Sequence, residues 1–275
     1  MLVPRRATFA IELGLYPLVI AAIVLVISKH WRRKNVEWLA PGVPIIIMSA
    51  MRIASASLGL ASDGVPSRPD LLAQSARIDT VLIGPLVLTL VGLLKAANAP
   101  VPSGYRSPYI IPMQIVGVMG AVLAGVGSVQ VFGGASTDGL QATGHTLMRT
   151  GVLALLIPVY LLTIGLAVAS LYNVSFRFYR TETNMIVCLL SCTPFVLVRI
   201  VYSTISLFAS EGSVFRLLTE DTGAVGLHFA MVVLVELVVT FNVCVTGMLA
   251  AGLKGEIDPP VDLKELNDII SVKAI

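Results

Sequence analysis

Charge is scarce in this sequence: 13% of its 275 residues are Asp, Glu, Lys or Arg, against roughly 25% in an ordinary soluble domain. On a chain that is 56% hydrophobic, that is too little to coat a water-facing surface, which excludes a soluble enzyme domain. The net charge of +3 is too small for a nucleic-acid module, whose affinity rests on many phosphate contacts. Three cysteines cannot build the framework of a disulfide scaffold. The three histidines, His30, His145 and His228, show neither HExxH nor paired helical ligand spacing. Cys188 and Cys192 have only Cys244 as a further thiol, so no metal or haem site is expected. GxSxG, P-loop and GxGxxG patterns are missing from any credible context. Lys254 stands only at the end of the last apolar run, which leaves no lysine for a retinal Schiff base. The sequence therefore implies no cofactor.

What is present is a series of apolar runs, at about 10–28, 38–60, 78–97, 110–133, 146–172, 185–209 and 226–252. Each is long enough at 1.5 Å per residue to cross a hydrocarbon core of roughly 30 Å. The expected fold is all-α, a polytopic bundle of seven transmembrane helices over residues 1–253, followed by a tail at 254–275. Arg5 and Arg6 precede the first run, but Lys29, Arg32, Arg33 and Lys34 follow it without a small-residue cleavage site, which favours a retained helix over a signal peptide.

Seven crossings put the termini on opposite sides, and basic residues are retained in the cytosol. Eleven Lys and Arg lie in the first, third and fifth loops and the tail, against five on the other side. The expected topology is therefore an N-terminus in the lumen or outside and a C-terminus in the cytosol. Asn173-Val174-Ser175 reads as a glycosylation sequon that this topology leaves unmodified. In the cytosolic tail Pro259 and Pro260 stop the seventh helix, and Leu263, Leu266 and Ile270 recur at helical spacing. This short amphipathic helix suits either the membrane surface or a docked partner.

Charged side chains inside spans are costly and face the bundle interior, so each is a candidate site. They are Glu12, Arg52, Asp79, Arg149, Arg199 and Glu236, three of each sign. Glu236 sits near mid-membrane with Arg52 and Arg199 the nearest cations in depth, so a bridge to one of them is expected. Glu12, Asp79, His145, Arg149 and His228 fall within about two turns of the lumenal boundary, where side chains can snorkel to water. Glu236, Arg199, Arg52 and Tyr202 are the candidate catalytic set, with Ser55 and Ser203 as neighbours able to add hydrogen bonds. One reading makes them an ion pair that fixes helix packing. The other makes them the floor of a substrate cavity open to the lumenal half, with Arg stabilising negative charge and Glu moving a proton. Gly117, Ala121 and Gly125 repeat every four positions and predict close helix approach, and Pro85, Pro158 and Pro194 predict kinks.

The segments from Trp38-Leu39 to Met51-Arg52-Ile53, from Ile83-Gly84-Pro85-Leu86 to Gly92-Leu93-Leu94, and from Pro194 through Arg199 to Tyr202-Ser203, with Glu236 in the last span, resemble those of a large group of uncharacterised fungal seven-span membrane proteins. The resemblance implies a fungal endomembrane protein, in the endoplasmic reticulum, with Arg52, Arg199, Tyr202 and Glu236 as a shared polar core. Members of such groups can occur beside secondary-metabolite genes, which implies work on a hydrophobic small-molecule intermediate. The layout is also loosely similar to lipid-translocating exporter-like proteins and to small membrane-bound terpene cyclases, without the acidic motif pattern of the cyclases. Three functions follow as expectations. The first is an accessory protein that holds the intermediate and recruits a membrane-anchored oxidase such as a cytochrome P450 through Leu263, Leu266 and Ile270. The second is a cofactor-free cyclase or isomerase. The third is a receptor or lipid exporter, although DRY-like and NPxxY-like receptor motifs are missing.

Overall fold

Within hydrocarbon, a chain must satisfy its backbone polar groups internally, and a single apolar segment does so only as a helix. The structure, a computed structural model, describes residues 5–32, 34–64, 69–101, 107–132, 138–172, 180–209 and 222–253, and among these there is no strand. The chain runs through α1 (Arg5–Arg32), a 3₁₀ turn (Val36–Trp38), α2 (Leu39–Gly64), α3 (Pro69–Val81), α4 (Ile83–Asn98) and α5 (Ser107–Phe132). It continues through α6 (Asp138–Arg149), a π-helical turn (Thr150–Leu156), α7 (Ile157–Tyr172), α8 (Arg180–Phe208), α9 (Thr222–His228), a second π-helical turn (Phe229–Leu234) and α10 (Val235–Leu253). Merged across their irregularities, these give seven segments long and apolar enough to cross a membrane: Arg6–Arg32, Val36–Ser62, Ile78–Asn98, Tyr109–Val131, Leu140–Tyr172, Thr181–Phe208 and Val225–Ala251. The protein is an integral membrane protein whose apolar helices fit a lipid bilayer.

The fifth span starts earlier than its apolar run, because α6 carries the helix through the polar stretch from Asp138 to Arg149. Apolar length sets where hydrocarbon ends, whereas a helix stops only where its caps or turn residues stop it. The tail residues Leu263, Leu266 and Ile270, the sequon at Asn173 and the charged loop residues Glu211, Glu220 and Asp221 lie outside the described residues.

The seven spans differ in what they face. α4 is hydrophobic all round and buried on every side, with Leu86, Leu90, Leu93 and Leu94 in the core, as a central bundle helix must be. It touches α2, α5, α7 and α8. α5 is equally apolar but turns Ile115, Val118, Met119, Val122 and Val126 outward, a surface suited to lipid. At the other end of the bundle His30 is buried rather than part of a solvated basic stop. Its ring stacks on Trp38 at 4.6 Å between centroids, and its Nε2 lies 3.0 Å from the Gly247 carbonyl oxygen, tying the α1–α2 corner to α10.

Two of the three expected proline effects are visible as helix irregularities. Pro85 cannot supply the N–H that the Val81 carbonyl needs, and the third span breaks between Val81 and Ile83 into α3 and α4. Pro158 follows the π-helical turn, whose wider i→i+5 bonding accommodates the missing donor. Pro194, by contrast, lies inside the continuous α8.

Lipid tails are as apolar as the helices, so helices associate in a bilayer through close packing and polar contacts. The small-residue face of α5 serves the first: a Cβ on Gly84 would collide with the Cβ of Ala121. The other side of α5 packs as tightly, since a Cβ on Gly151 would lie 2.6 Å from the Gly120 carbonyl oxygen. Overpacking typically costs about 1–3 kcal/mol, so Gly151→Val should lower stability by about that amount. Reversible unfolding in mixed detergent micelles measures it, and an unchanged midpoint would mean the two helices can part freely.

Candidate functional site

Helix breaks and charges converge in the half of the bundle that carries the N-terminus. Arg52 on α2 is fully buried and holds Glu236 of α10 through a two-pronged contact, Nε to Oε2 at 2.7 Å and Nη2 to Oε1 at 2.8 Å. Such paired bonds are the strong, directional form of an arginine–carboxylate contact. Its Nη1 donates to Asp79 Oδ1 of α3. Arg199 of α8 adds Nε to Glu236 Oε1 at 3.3 Å, Nη1 to Ser203 Oγ at 2.9 Å and Nη2 to the Asp79 backbone oxygen at 2.9 Å. That oxygen belongs to the last turn of α3, where the break before α4 deprives carbonyls of helical partners. The Tyr16 hydroxyl of α1 completes the set with a 2.9 Å bond to Glu236 Oε2.

Glu236 thus accepts four hydrogen bonds, two at each oxygen, which fills its roughly four acceptor positions. Asp79 is nearly as full. Its Oδ1 also accepts from Ser55 Oγ at 3.1 Å, and its Oδ2 accepts from His228 Nε2 at 3.0 Å. Glu12 stands at the margin, with Oε2 3.9 Å from Arg52 Nη1 and Oε1 without a hydrogen-bond partner among the described residues. The Tyr202 ring meets the His228 ring edge-on at 6.2 Å.

The expected bridge forms, and it joins Glu236 to both arginines at once. Ser55 and Ser203 add hydrogen bonds within the cluster, to Asp79 and from Arg199. Asp79 and His228, close enough to a boundary to snorkel, turn inward, where the cluster supplies them with partners. Arg149 does not join: it is exposed, and its guanidinium carbon lies 4.5 Å above the Phe208 ring. His145 is exposed on α6. Tyr16 is the member that charge counting passes over. Its signal in the sequence is its position four residues after Glu12, on the same face of α1.

The second π-helical turn accounts for the meeting of His228 and Glu236. Eight positions apart on an ideal helix, they would point about 80° from each other. One extra residue accommodated in a π-turn makes them equivalent to seven positions, about 20° apart, so both face the cluster.

The expected cavity would open beside this cluster. Arg52, Arg199, Tyr202 and Glu236 are each at most 2% exposed, and their charged groups close on one another. A void of about 250 Å³ lies instead between α8 and α10 at the opposite end, lined by Thr181, Asn184, Ser191, Asn242 and Thr246 among others. Among the described residues no group of three or more His, Cys, Asp or Glu side chains is disposed to hold a metal ion, and Cys188, Cys192 and Cys244 are free thiols.

A family model described as a domain of unknown function, DUF7702, matches residues 5–253. No curated protein and no solved structure matches the chain.

Removing one partner of a buried pair strands the other, at a cost of about 3–5 kcal/mol. Arg52→Ala, which strands bonds to two carboxylates, should therefore lower stability by about that much and more than Arg199→Ala does. Tyr16→Phe, which removes one neutral donor to a charged acceptor, should cost about 1.5–3 kcal/mol. Unfolding titrations of the purified variants test the order, and a wild-type midpoint for Arg52→Ala would show that the cluster does not hold the bundle.

Proposed function

The chain belongs to the DUF7702 family, and from that premise we propose that it is an accessory integral membrane protein that holds a hydrophobic intermediate without transforming it. The observation that carries this is the saturation of Glu236. A general acid or base must reach the proton it moves, and each oxygen of this carboxylate already accepts two hydrogen bonds from the protein's own donors. A cyclase or isomerase working through Glu236 would need that carboxylate to face a void. The same geometry suits a structural hub.

In its finer form the proposal places the protein in fungal secondary metabolism, in the endoplasmic reticulum, with its N-terminus lumenal and its C-terminus cytosolic. The excess of Lys and Arg in the first, third and fifth loops and the tail supports the orientation. The segments around Arg52 and Arg199 that resemble fungal seven-span proteins support the setting. The partner is a membrane-anchored oxidase such as a cytochrome P450, engaged through Leu263, Leu266 and Ile270. A link between holding and handing over is supported by the sequence order, since the void is lined by Leu249 and Ala250 near the end of α10, a few residues before the tail begins.

Affinity purification from fungal microsomes tests this. Carbon monoxide-reactive haem should copurify with the wild-type chain and be lost when Leu263, Leu266 and Ile270 are all changed to Ser, with the bundle still folded. The purified protein alone should convert none of the intermediates present. Turnover by the protein alone that Glu236→Gln abolishes in a folded variant would overturn the proposal.

A further inference from the structure

The α8–α10 cleft has a chemical character that its position makes unusual. Asn184, Val187 and Ser191 share one face of α8, and Asn242, Thr246 and Leu249 share one face of α10. The two helices run antiparallel, so Asn184 stands towards the end of the bundle with Leu249, and Ser191 lies about 10 Å further in, beside Asn242. Val187 and Leu249 are more than half exposed, at 52% and 60%, and Asn184 and Ser191 are exposed as well. The polar groups therefore stand on an outward-facing surface of two membrane-spanning helices, from near the span ends at Asn184 to Ser191 and Asn242 deeper in, where acyl chains offer no hydrogen bonds.

Their unused bonding capacity can be counted. Asn242 donates Nδ2–H to the Val238 carbonyl at 3.0 Å, which leaves its amide oxygen and second N–H unclaimed. Ser191 donates to the Cys188 carbonyl at 2.8 Å, which leaves its oxygen as an acceptor. Asn184 makes no side-chain hydrogen bond among the described residues. Among the described residues no charged side chain lines the cleft. The donors and acceptors of the described lining residues carry no charge and so fit a neutral partner, whereas an anion would need a cation to offset its lost hydration.

We propose that this cleft binds an uncharged amphiphile bearing a hydroxyl or carbonyl oxygen, with the polar group between Asn184, Ser191 and Asn242 and the apolar body against Val187, Leu249 and the adjoining lipid. The void of about 250 Å³ is below the roughly 300–1,000 Å³ of a pocket that engulfs its ligand, so part of the molecule rests in the bilayer. This deepens the holding function proposed above and rests on it only in taking the ligand for a pathway intermediate.

The test uses the full chain in phosphatidylcholine nanodiscs and three photoreactive probes of equal chain length: a fatty alcohol, the corresponding fatty acid and the plain hydrocarbon. The alcohol should label the segments 181–191 and 242–250 about fivefold more than the hydrocarbon, the ratio one net hydrogen bond supplies, and more than the acid. Asn184→Leu combined with Asn242→Leu should bring the ratio to about one. Unlabelled alcohol should displace the probe from the wild-type protein and unlabelled alkane should not, a comparison that needs no variant. Equal labelling by all three probes, or labelling spread evenly over the lipid face of α5, would overturn the proposal and show ordinary boundary lipid. No partner is present, so a failure here is distinct from a failure of haem to copurify.

Discussion

An ionised carboxylate inside a bilayer is tolerable only where other groups replace the water it has lost, and Glu236 is surrounded by such groups. Arg52, Arg199 and Tyr16 come to it from α2, α8 and α1, and Asp79 brings in α3 through the other side of Arg52. Five helices thereby acquire one relative arrangement. Sliding any of them by a turn, about 5.4 Å, would break bonds that nothing else in the hydrocarbon can replace. Apolar packing gives the bundle contact area but little preference among registers, because lipid competes on equal terms for every apolar face. The cluster supplies the preference.

The helical irregularities make sense in relation to that cluster. The break between α3 and α4 releases a backbone oxygen that Arg199 takes up. The π-helical turn before α10 rotates His228 onto the face of Glu236, where it reaches Asp79. Both features cost backbone hydrogen bonds in an environment where these are at a premium, and both return side-chain hydrogen bonds to the same site. The turn ahead of Pro158 has another cause, a missing donor within its own helix.

The two ends of the bundle are consequently unlike. At one end polar groups are numerous and charged, and Glu236 has each oxygen doubly hydrogen-bonded. At the other end, between α8 and α10, they are few, neutral and only partly used. A site for a ligand needs bonding capacity that the protein has not already consumed, and charge by itself is a poor guide to where that capacity lies. The sequence draws attention to Glu236 and the arginines for their cost in lipid, while Asn184 and Asn242 attract no notice among ordinary polar residues.

Seven spans, their approximate limits and the membrane setting were determined by the sequence alone, because they depend on the local apolar content of each segment and the thickness of hydrocarbon. The pairing of Glu236 with Arg52 or Arg199 was also legible, since buried opposite charges at similar depth have few other partners. Tertiary structure decided the rest. Whether the charges enclose a cavity or close on each other depends on how many donors the neighbouring helices contribute, and Tyr16, Asp79 and His228 reach the cluster only after α1, α3 and α9 have taken their places. The rotation of His228 depends on a π-turn with no proline to announce it. The cleft between α8 and α10 is formed by residues about 60 positions apart in the chain, and no periodicity within one helix records what the facing helix leaves unfilled.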